Sequence, residues 1–310
     1  MRHLQTYRIF ESTQTPTDEQ KKFLDQHTDG TWSLNSQTGK VDVDGGFRCD
    51  GENLEDFKGI SFGSVSKNFV CSNNSLRTLE GAPRTVGGNF VCFKNSLQTL
   101  EGAPETVGGN FVCFNNSLQT LEGAPRTVGE SFYCDDNSLR TLKGAPRTVG
   151  GSFYCDHNSL QTLEGAPRTI GEEFNCSINS LQTLEGAPET VGGNFECSYN
   201  PLQTLEGAPK TIGGDFHSDD LRISQGEWSQ ETLIRIFMAG THMAGTPKEK
   251  QMVAPLIDPE TIQKMIDRDP EKMLVKLKDY LKDPHFKDLR WPERLEGERG
   301  LLSDLSDVGL

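Results

Sequence analysis

Cysteines recur through the centre of the chain with a regularity that could support metal, disulfide or thiolate chemistry. Of the eight cysteines among 310 residues, seven follow one another at intervals of 21 residues: Cys71, Cys92, Cys113, Cys134, Cys155, Cys176 and Cys197. Structural zinc sites use C-x-x-C pairs or paired histidines, and the sequence contains neither, so we expect no metal ion. Disulfide frameworks place cysteines among loops at uneven spacings, unlike this pattern.

One cysteine per repeat instead predicts small, buried and reduced side chains. Because thiols stay reduced in the cytoplasm, we expect a cytoplasmic location. No cysteine follows Cys197, which argues against thioester chemistry in the C-terminal part of the chain. His242 and His285 belong to no motif, and no Gly-Gly pair lies in a strand-to-helix phosphate loop. The sequence therefore predicts no catalytic residues, no cofactor and no enzymatic activity; an enzyme within residues 224–310 is the least favoured alternative.

The cysteines belong to a longer repeat, which also places a phenylalanine at every 21st position from Phe69 to Phe216. One unit, Gly87 to Val107, reads GGNFVCFKNSLQTLEGAPETV. A period of this length is typical of solenoids, in which each unit forms one coil stacked on the last. The hydrophobic content of 34% is low and suits a narrow core. We expect a mainly β repeat solenoid over residues 41–223, with a parallel sheet on its concave face.

Within one coil, the segment Phe90-Val91-Cys92 is predicted to be a strand that alternates between core and surface. Phe and Cys recur in the full coils and are predicted to point inward, whereas the residue between them varies and is predicted to point outward. An asparagine follows three residues after each cysteine, and a buried amide must be hydrogen-bonded. Gly108-Gly109 is predicted to permit a tight bend into the next strand. The expected structural ladder comprises Cys92, Cys113, Cys134, Cys155, Asn95, Asn116, Asn137 and Asn158.

The repeat resembles the leucine-rich repeat, L-x-x-L-x-L-x-x-N-x-L. With Asn95 on the asparagine of that pattern, Phe90, Cys92 and Leu97 take the later leucine positions, while Gly87 falls on the first. The wording L-x-T-L-E-G-A-P-x-T-V-G-G is similar to leucine-rich-repeat-like proteins encoded by tailed bacteriophages and, more distantly, to short-coil repeats of secreted bacterial effectors. The resemblance covers about residues 41–223. It implies a protein-binding solenoid without catalytic residues and, for a phage-encoded chain, a location in the host cytoplasm.

Caps are expected at both ends, because terminal coils would otherwise expose apolar faces. Residues 1–40 are expected to form a tail and a cap, with a helix over Thr17–Gln26 whose Phe23 and Leu24 point inward. A strand pair is expected to follow, Trp32–Leu34 with Val41–Val43.

The repeat also ends recognisably on the C-terminal side. Ser218 replaces the cysteine of the last coil, and Ile223 is expected to close the core. Beyond it glycine becomes sparse and helical periodicity appears. Residues 224–310 are therefore expected to form an α-helical C-terminal region with a charged tail.

The net charge of −14, from 45 acidic and 31 basic residues, restricts the kinds of partner that we expect the chain to bind. Nucleic-acid binding needs a basic stripe, which the sequence lacks, so we expect no nucleic acid. An acidic surface favours solubility and basic partners. No apolar run is long enough to span a membrane, and the first residues lack the apolar core of a secretory signal, so no membrane association is expected.

The outward positions on each strand are the candidate binding surface. Since stacked strands lie ~4.8 Å apart, the middle coils should present one contiguous patch: Val91, Phe93, Val112, Phe114, Tyr133, Asp135, Tyr154 and Asp156. An aromatic patch flanked by carboxylates is typical of a protein-binding hot spot. Two alternatives stay open: cross-strand packing that only stabilises the sheet, and copying of residues by repeat duplication.

The expected function is thus a non-enzymatic protein–protein interaction module that binds a partner protein through the concave face of the solenoid. The alternative is a structural or assembly component of a phage particle or another complex, in which the solenoid acts as a spacer and the C-terminal helices dock.

Overall fold

The computed structural model describes residues 15–219 and the backbone of 222–223. The expected C-terminal helical region, residues 224–310, and most of the N-terminal tail lie outside the described residues. The described part begins with helix α1, Asp18–His27. Thr17 caps it: the Gln20 N–H donates to Thr17 Oγ1, and the Thr17 N–H donates to Gln20 Oε1, which satisfies two otherwise unpaired donors.

The N-terminal cap is confirmed as a helix followed by an antiparallel strand pair. Phe23 and Leu24 of α1 are buried. Strand β1, Thr28–Leu34, pairs with β2, Val41–Arg48, and both strands are longer than the sequence predicts. Because β1 runs antiparallel to β2, it covers the edge at which the parallel stack begins, and an uncovered edge would invite pairing with another chain.

Each full coil contributes two short strands to a single sheet. The first belongs to the Phe ladder, in which phenylalanine pairs in parallel register with the phenylalanine of the next coil. After β2 its strands are β4 Phe69–Val70, β6 Phe90–Val91, β8 Phe111–Val112, β10 Phe132–Tyr133, β12 Phe153–Tyr154, β14 Phe174–Asn175, β16 Phe195–Glu196 and β18 Phe216–His217. The chain is therefore a parallel β-solenoid with a period of about 21 residues, as the repeat predicts.

A second ladder, the Thr-Val ladder, runs beside the first. Its strands are β3 Phe62–Val65, β5 Thr85–Val86, β7 Thr106–Val107, β9 Thr127–Val128, β11 Thr148–Val149, β13 Thr169–Ile170, β15 Thr190–Val191 and β17 Thr211–Ile212. In the Thr-Val strands the threonine lies outward and mostly exposed, while the valine or isoleucine is buried.

The glycine after each of these strands has a different role from the predicted bend. Gly108 does not lie in the left-handed region, but a Cβ built on it would lie 2.1 Å from the carbonyl oxygen of Gly87 in the preceding coil. Such a separation is far below van der Waals contact, so the close approach of stacked backbones requires glycine. The left-handed turn glycine of the coil is Gly102, with a φ of 87°.

The core is a set of vertical rows of identical side chains. Phe90 and Phe111 stack with ring centroids 5.2 Å apart and an interplanar angle of 11°, and Phe111 continues onto Phe132 at the same distance. The leucines of each coil and the cysteines fill the remaining width and are fully buried. Because each coil buries its apolar side chains mainly against its neighbours, stability is a sum of nearest-neighbour contacts.

The stack ends by reversing direction. Strand β19, Arg222–Ile223, pairs antiparallel with β18, and its backbone places Ile223 opposite Phe216. The side chain of Ile223 lies outside the described residues. The antiparallel pairing covers the last strand edge of the Phe ladder, as β1 does at the other end.

Candidate functional site

The strand face consists of the outward residue between each Phe and Cys of the Phe ladder and the residue after that Cys. In the middle coils the eight predicted binding residues lie on this face in adjacent strands. Along the first row, Val91 pairs with Val112, Val112 with Tyr133, and Tyr133 with Tyr154. All eight side chains are partly exposed: Val91, Phe93, Val112, Phe114, Tyr133, Asp135, Tyr154 and Asp156.

The aromatic residues of the strand face form two stacked pairs. The rings of Phe93 and Phe114 lie 4.7 Å apart with an interplanar angle of 4°, and those of Tyr133 and Tyr154 lie 5.0 Å apart at 10°. Such pairs contribute about 0.5–1.5 kcal/mol beyond their buried area. Stacking therefore stabilises the sheet and also holds the rings rigid, so the geometry is compatible with both cross-strand packing and binding.

A group of carboxylates lies directly beside the tyrosine pair. Burial raises the pKa of Asp135 to about 6, and the neighbouring charges of Asp156 and Asp136 act in the same direction. Among the described residues, no group donates a hydrogen bond to the buried Oδ1 of Asp135. Asp156 does have a partner, since its Oδ2 lies 2.8 Å from Nδ1 of His157. That hydrogen bond raises the pKa of His157.

Further carboxylates lie near the tyrosine hydroxyl end. Burial raises the pKa of Glu173, with the charge of Glu196 adding to it, while a hydrogen bond with Tyr154 opposes the change. Glu196 Oε1 in turn lies 2.6 Å from Nδ1 of His217. The tyrosine pair thus has acidic side chains on two sides, and this arrangement favours an approaching positive charge.

Each amide of the asparagine ladder bonds to backbone groups of its own coil and of the preceding coil. The Asn137 Nδ2 group donates to the carbonyls of Cys113, Cys134 and Asp135 at 3.1–3.2 Å. Its Oδ1 accepts from the Leu118 N–H at 2.9 Å. Asn95, Asn116 and Asn158 repeat this pattern. The ladder is therefore structural, and it fixes the turn that follows the strand face.

The cysteine ladder is also structural. All eight cysteines are unpaired and buried. Burial raises the thiol pKa values of Cys92, Cys113, Cys134 and Cys155 well above the ordinary value. Several thiols donate to the carbonyl of the next coil, as Cys113 Sγ does to Tyr133 at 3.2 Å. Since nucleophilic attack and metal binding require the thiolate, these residues lack that reactivity in the folded chain.

Two exposed apolar residues were missed by the sequence analysis. Ile178 and Tyr199 keep 39% and 72% of their surface exposed. They follow the strand face directly and adopt left-handed φ values of 54° and 57°, which are uncommon for bulky residues. The preceding coils carry polar residues at this position, among them Asp136 and His157. That change from polar to apolar was the available signal.

A second face, along the Thr-Val ladder, holds an open groove of about 720 Å³. Its lining consists only of serine, threonine, valine and glycine residues. Such a lining offers hydroxyl groups and backbone but no aromatic or charged side chain. The strand face is therefore the chemically richer surface of the two.

Within the described residues, no group of three or more His, Cys, Asp or Glu side chains is arranged to hold a metal ion. The same part of the chain has no helix long and apolar enough to cross a membrane. Comparison of the chain with protein-family models, curated proteins and solved structures found no match.

Proposed function

We propose that this chain is a non-enzymatic protein–protein interaction module that binds a partner protein through the strand face, the face expected to be concave. The observation that carries the proposal is the continuous, partly exposed row of Val91, Val112, Tyr133 and Tyr154 on adjacent paired strands. Contiguous aromatic and apolar surface bordered by polar groups is typical of interaction sites in proteins.

The rigidity of this row supports the proposal. Binding costs conformational entropy for every side chain that must be ordered at an interface. The ring of Tyr133 is already held 5.0 Å from that of Tyr154, and both belong to strands paired on each side. Little further ordering is needed, so aromatic contact area is available to a partner at low entropic cost.

The test is affinity capture from the native host with the full chain. The variant Tyr133→Ala/Tyr154→Ala removes both rings, while Thr127→Ala/Thr148→Ala alters exposed residues of the same coils on the Thr-Val ladder. We expect a partner that is retained by the unaltered chain and by the threonine variant but lost with the tyrosine variant. Equal capture by all three chains would refute the proposal, provided that circular dichroism shows the same fold for each.

Two related aspects are proposed on the same footing. Because no match was found, the likeness to phage-encoded leucine-rich-repeat-like proteins depends on the sequence of the repeat alone. The eight buried, unpaired thiols support a reducing cytoplasmic location, which would be the host cytoplasm for a phage-encoded chain.

A second candidate, a component of a larger assembly, is favoured by Ile178 and Tyr199. Both residues are exposed at equivalent positions of adjacent coils; left-handed backbone is uncommon for bulky residues, and contiguous exposed apolar surface marks interaction sites. Light scattering of the full chain against Ile178→Ser/Tyr199→Ser tests this role. A homo-oligomer that dissociates in the variant would support it, whereas identical masses for both chains would count against self-assembly through these residues.

A further inference from the structure

The strand face changes its polarity sharply along the solenoid axis. In the coils that begin at Phe90 and Phe111, the outward residues carry no carboxylate and present Phe93 and Phe114. From the Phe132 coil onward, the outward positions and the residue after them carry neither Lys nor Arg. Up to Asp219, the last of these positions that the structure describes, they carry five carboxylates: Asp135, Asp136, Asp156, Glu196 and Asp219. The step from apolar to acidic occurs between two paired strands, β8 and β10.

The acidic half of the strand face extends from the Phe132 coil onward. Beside Tyr133 and Tyr154, its carboxylates are not neutralised by cationic side chains of the described residues. Asp135 has a buried oxygen without a donor among the described residues, and its nearest charged neighbours include Asp136 and Asp156. Among the described residues, the one partner of opposite charge near these carboxylates is His157, and it is held by Asp156. A partly buried carboxylate beside like charges is unfavourable unless a cation or donor approaches it.

We infer that the partner of the strand face presents a cationic segment, in which an apolar side chain contacts Phe93 and Phe114 while a Lys or Arg contacts Asp135 and Asp156. This inference rests on the proposed function and specifies its partner class. Strands are ~4.8 Å apart, so the two halves are centred about 10 Å from one another along the axis. In an extended ligand at ~3.3 Å per residue, alternate side chains point the same way, so the apolar residue and the cation are about two or four positions apart.

The chemistry of Tyr133 and Tyr154 adds to this selectivity. A guanidinium or ammonium group near an aromatic ring gains a cation–π attraction, and an arginine can pair bidentately with an adjacent carboxylate. A neutral apolar ligand would instead leave Asp135 and Asp156 desolvated without a partner, which is unfavourable. A polyanion would be repelled by the same carboxylates.

The test uses the full chain and a surface-displayed library of random peptides of about twelve residues, which is long enough to cross the face at ~3.3 Å per residue. Peptides are selected on the unaltered chain, and those that fail to bind Tyr133→Ala/Tyr154→Ala are kept. Their composition is then read by sequencing. We expect enrichment of Lys or Arg about two or four positions from an aromatic or branched aliphatic residue, because only these spacings place both side chains on one side of an extended peptide.

The affinity of selected peptides is next compared between variants. Asp135→Asn/Asp156→Asn is nearly isosteric, and we expect roughly tenfold weaker binding because it removes two charges at the contact. The matched control is Glu101→Gln/Glu122→Gln, exposed acidic residues outside the strand face, and we expect no change. Both variants lose the same net charge, so a non-specific electrostatic effect would weaken them equally and would overturn the inference.

The outcomes separate the two proposals. Tyrosine-dependent peptides that are neutral or acidic, or that bind the Asp→Asn variant normally, would overturn the cationic partner while leaving the proposed function intact. A selection that yields no tyrosine-dependent peptide would count against both.

Discussion

Replacing Asn137 with alanine tests whether the asparagine ladder holds the coils together as the geometry indicates. The amide of Asn137 bonds to four backbone groups, but these groups do not depend on it equally. The carbonyl of Cys113 also accepts a hydrogen bond from Asn116 at 3.1 Å. The carbonyl of Cys134 accepts one from Asn137 at 3.2 Å and another from Asn158 at 3.1 Å. Each cysteine carbonyl is thus served by the asparagines of two coils.

One group does depend on Asn137 as its acceptor. The Leu118 N–H donates to Asn137 Oδ1 at 2.9 Å, and Leu118 is fully buried. Leaving a buried donor unpaired costs about 1–3 kcal/mol. The shared carbonyls lose one of two partners, which adds a smaller amount. We therefore expect Asn137→Ala to lower the free energy of unfolding by about 2–3 kcal/mol.

The sharing of carbonyls makes a further, more specific prediction. Asn137→Ala/Asn158→Ala removes both ladder donors to the Cys134 carbonyl, so we expect a loss exceeding the sum of the single variants by about 1 kcal/mol. Asn95→Ala/Asn137→Ala serves as the control, because those two asparagines share no cysteine carbonyl. Its effects should be additive.

The assays are urea denaturation followed by circular dichroism and hydrogen exchange measured by mass spectrometry. Exchange matters because a solenoid can unfold in parts, so a single transition need not report on one coil. The peptide containing the Leu118 amide should lose protection in Asn137→Ala. An unfolding free energy within about 0.5 kcal/mol of the unaltered chain, with Leu118 still protected, would refute the reasoning.

Three further predictions concern the coil contacts, the acidic group and the thiols. Gly129→Ala would place Cβ 2.0 Å from the Gly108 carbonyl, so we expect severe destabilisation or misfolding by thermal denaturation; Glu130→Ala, the exposed neighbour, should change the midpoint little. Asp135→Asn should be more stable than the unaltered chain at pH 8, by about 1 kcal/mol after allowing for solvent screening of a half-exposed carboxylate. The variant is the more stable one because the folded pKa of Asp135, about 6, exceeds the ordinary value of 3.8. The unaltered chain therefore loses stability as the pH rises between those values, and the unfolding free energies of the two chains should converge near pH 4. A difference that stays constant across urea titrations at several pH values would contradict this prediction. A thiol reagent such as Ellman's should react with none of the eight buried cysteines under native conditions and with all of them in urea, and fast native reaction would show that the ladder opens.

The sequence by itself determined the stack, because identical residues at a constant spacing can be buried only by placing equivalent positions over one another. Alternation along the strand then assigned Phe90 and Cys92 to the core and Val91 to the surface. The asparagine ladder was also predictable, since a buried amide must find partners and only turn backbone lies within reach. The cap helix was predicted over Thr17–Gln26, and in the structure Thr17 and Gln20 form a capping box at its start.

Tertiary structure alone decided features that depend on contacts between coils. The Thr-Val ladder was missed because only two positions alternate there, an outward Thr and an inward Val or Ile, whereas the Phe ladder shows three alternating positions that end at Cys. The need for glycine at Gly108 arises from the approach of the Gly87 carbonyl, a residue one full coil away. The raised pKa of Asp135 likewise depends on burial and on Asp156 in the next coil. Periodicity reports which residues are equivalent, whereas distance, burial and charge between equivalent residues exist only once the coils are stacked.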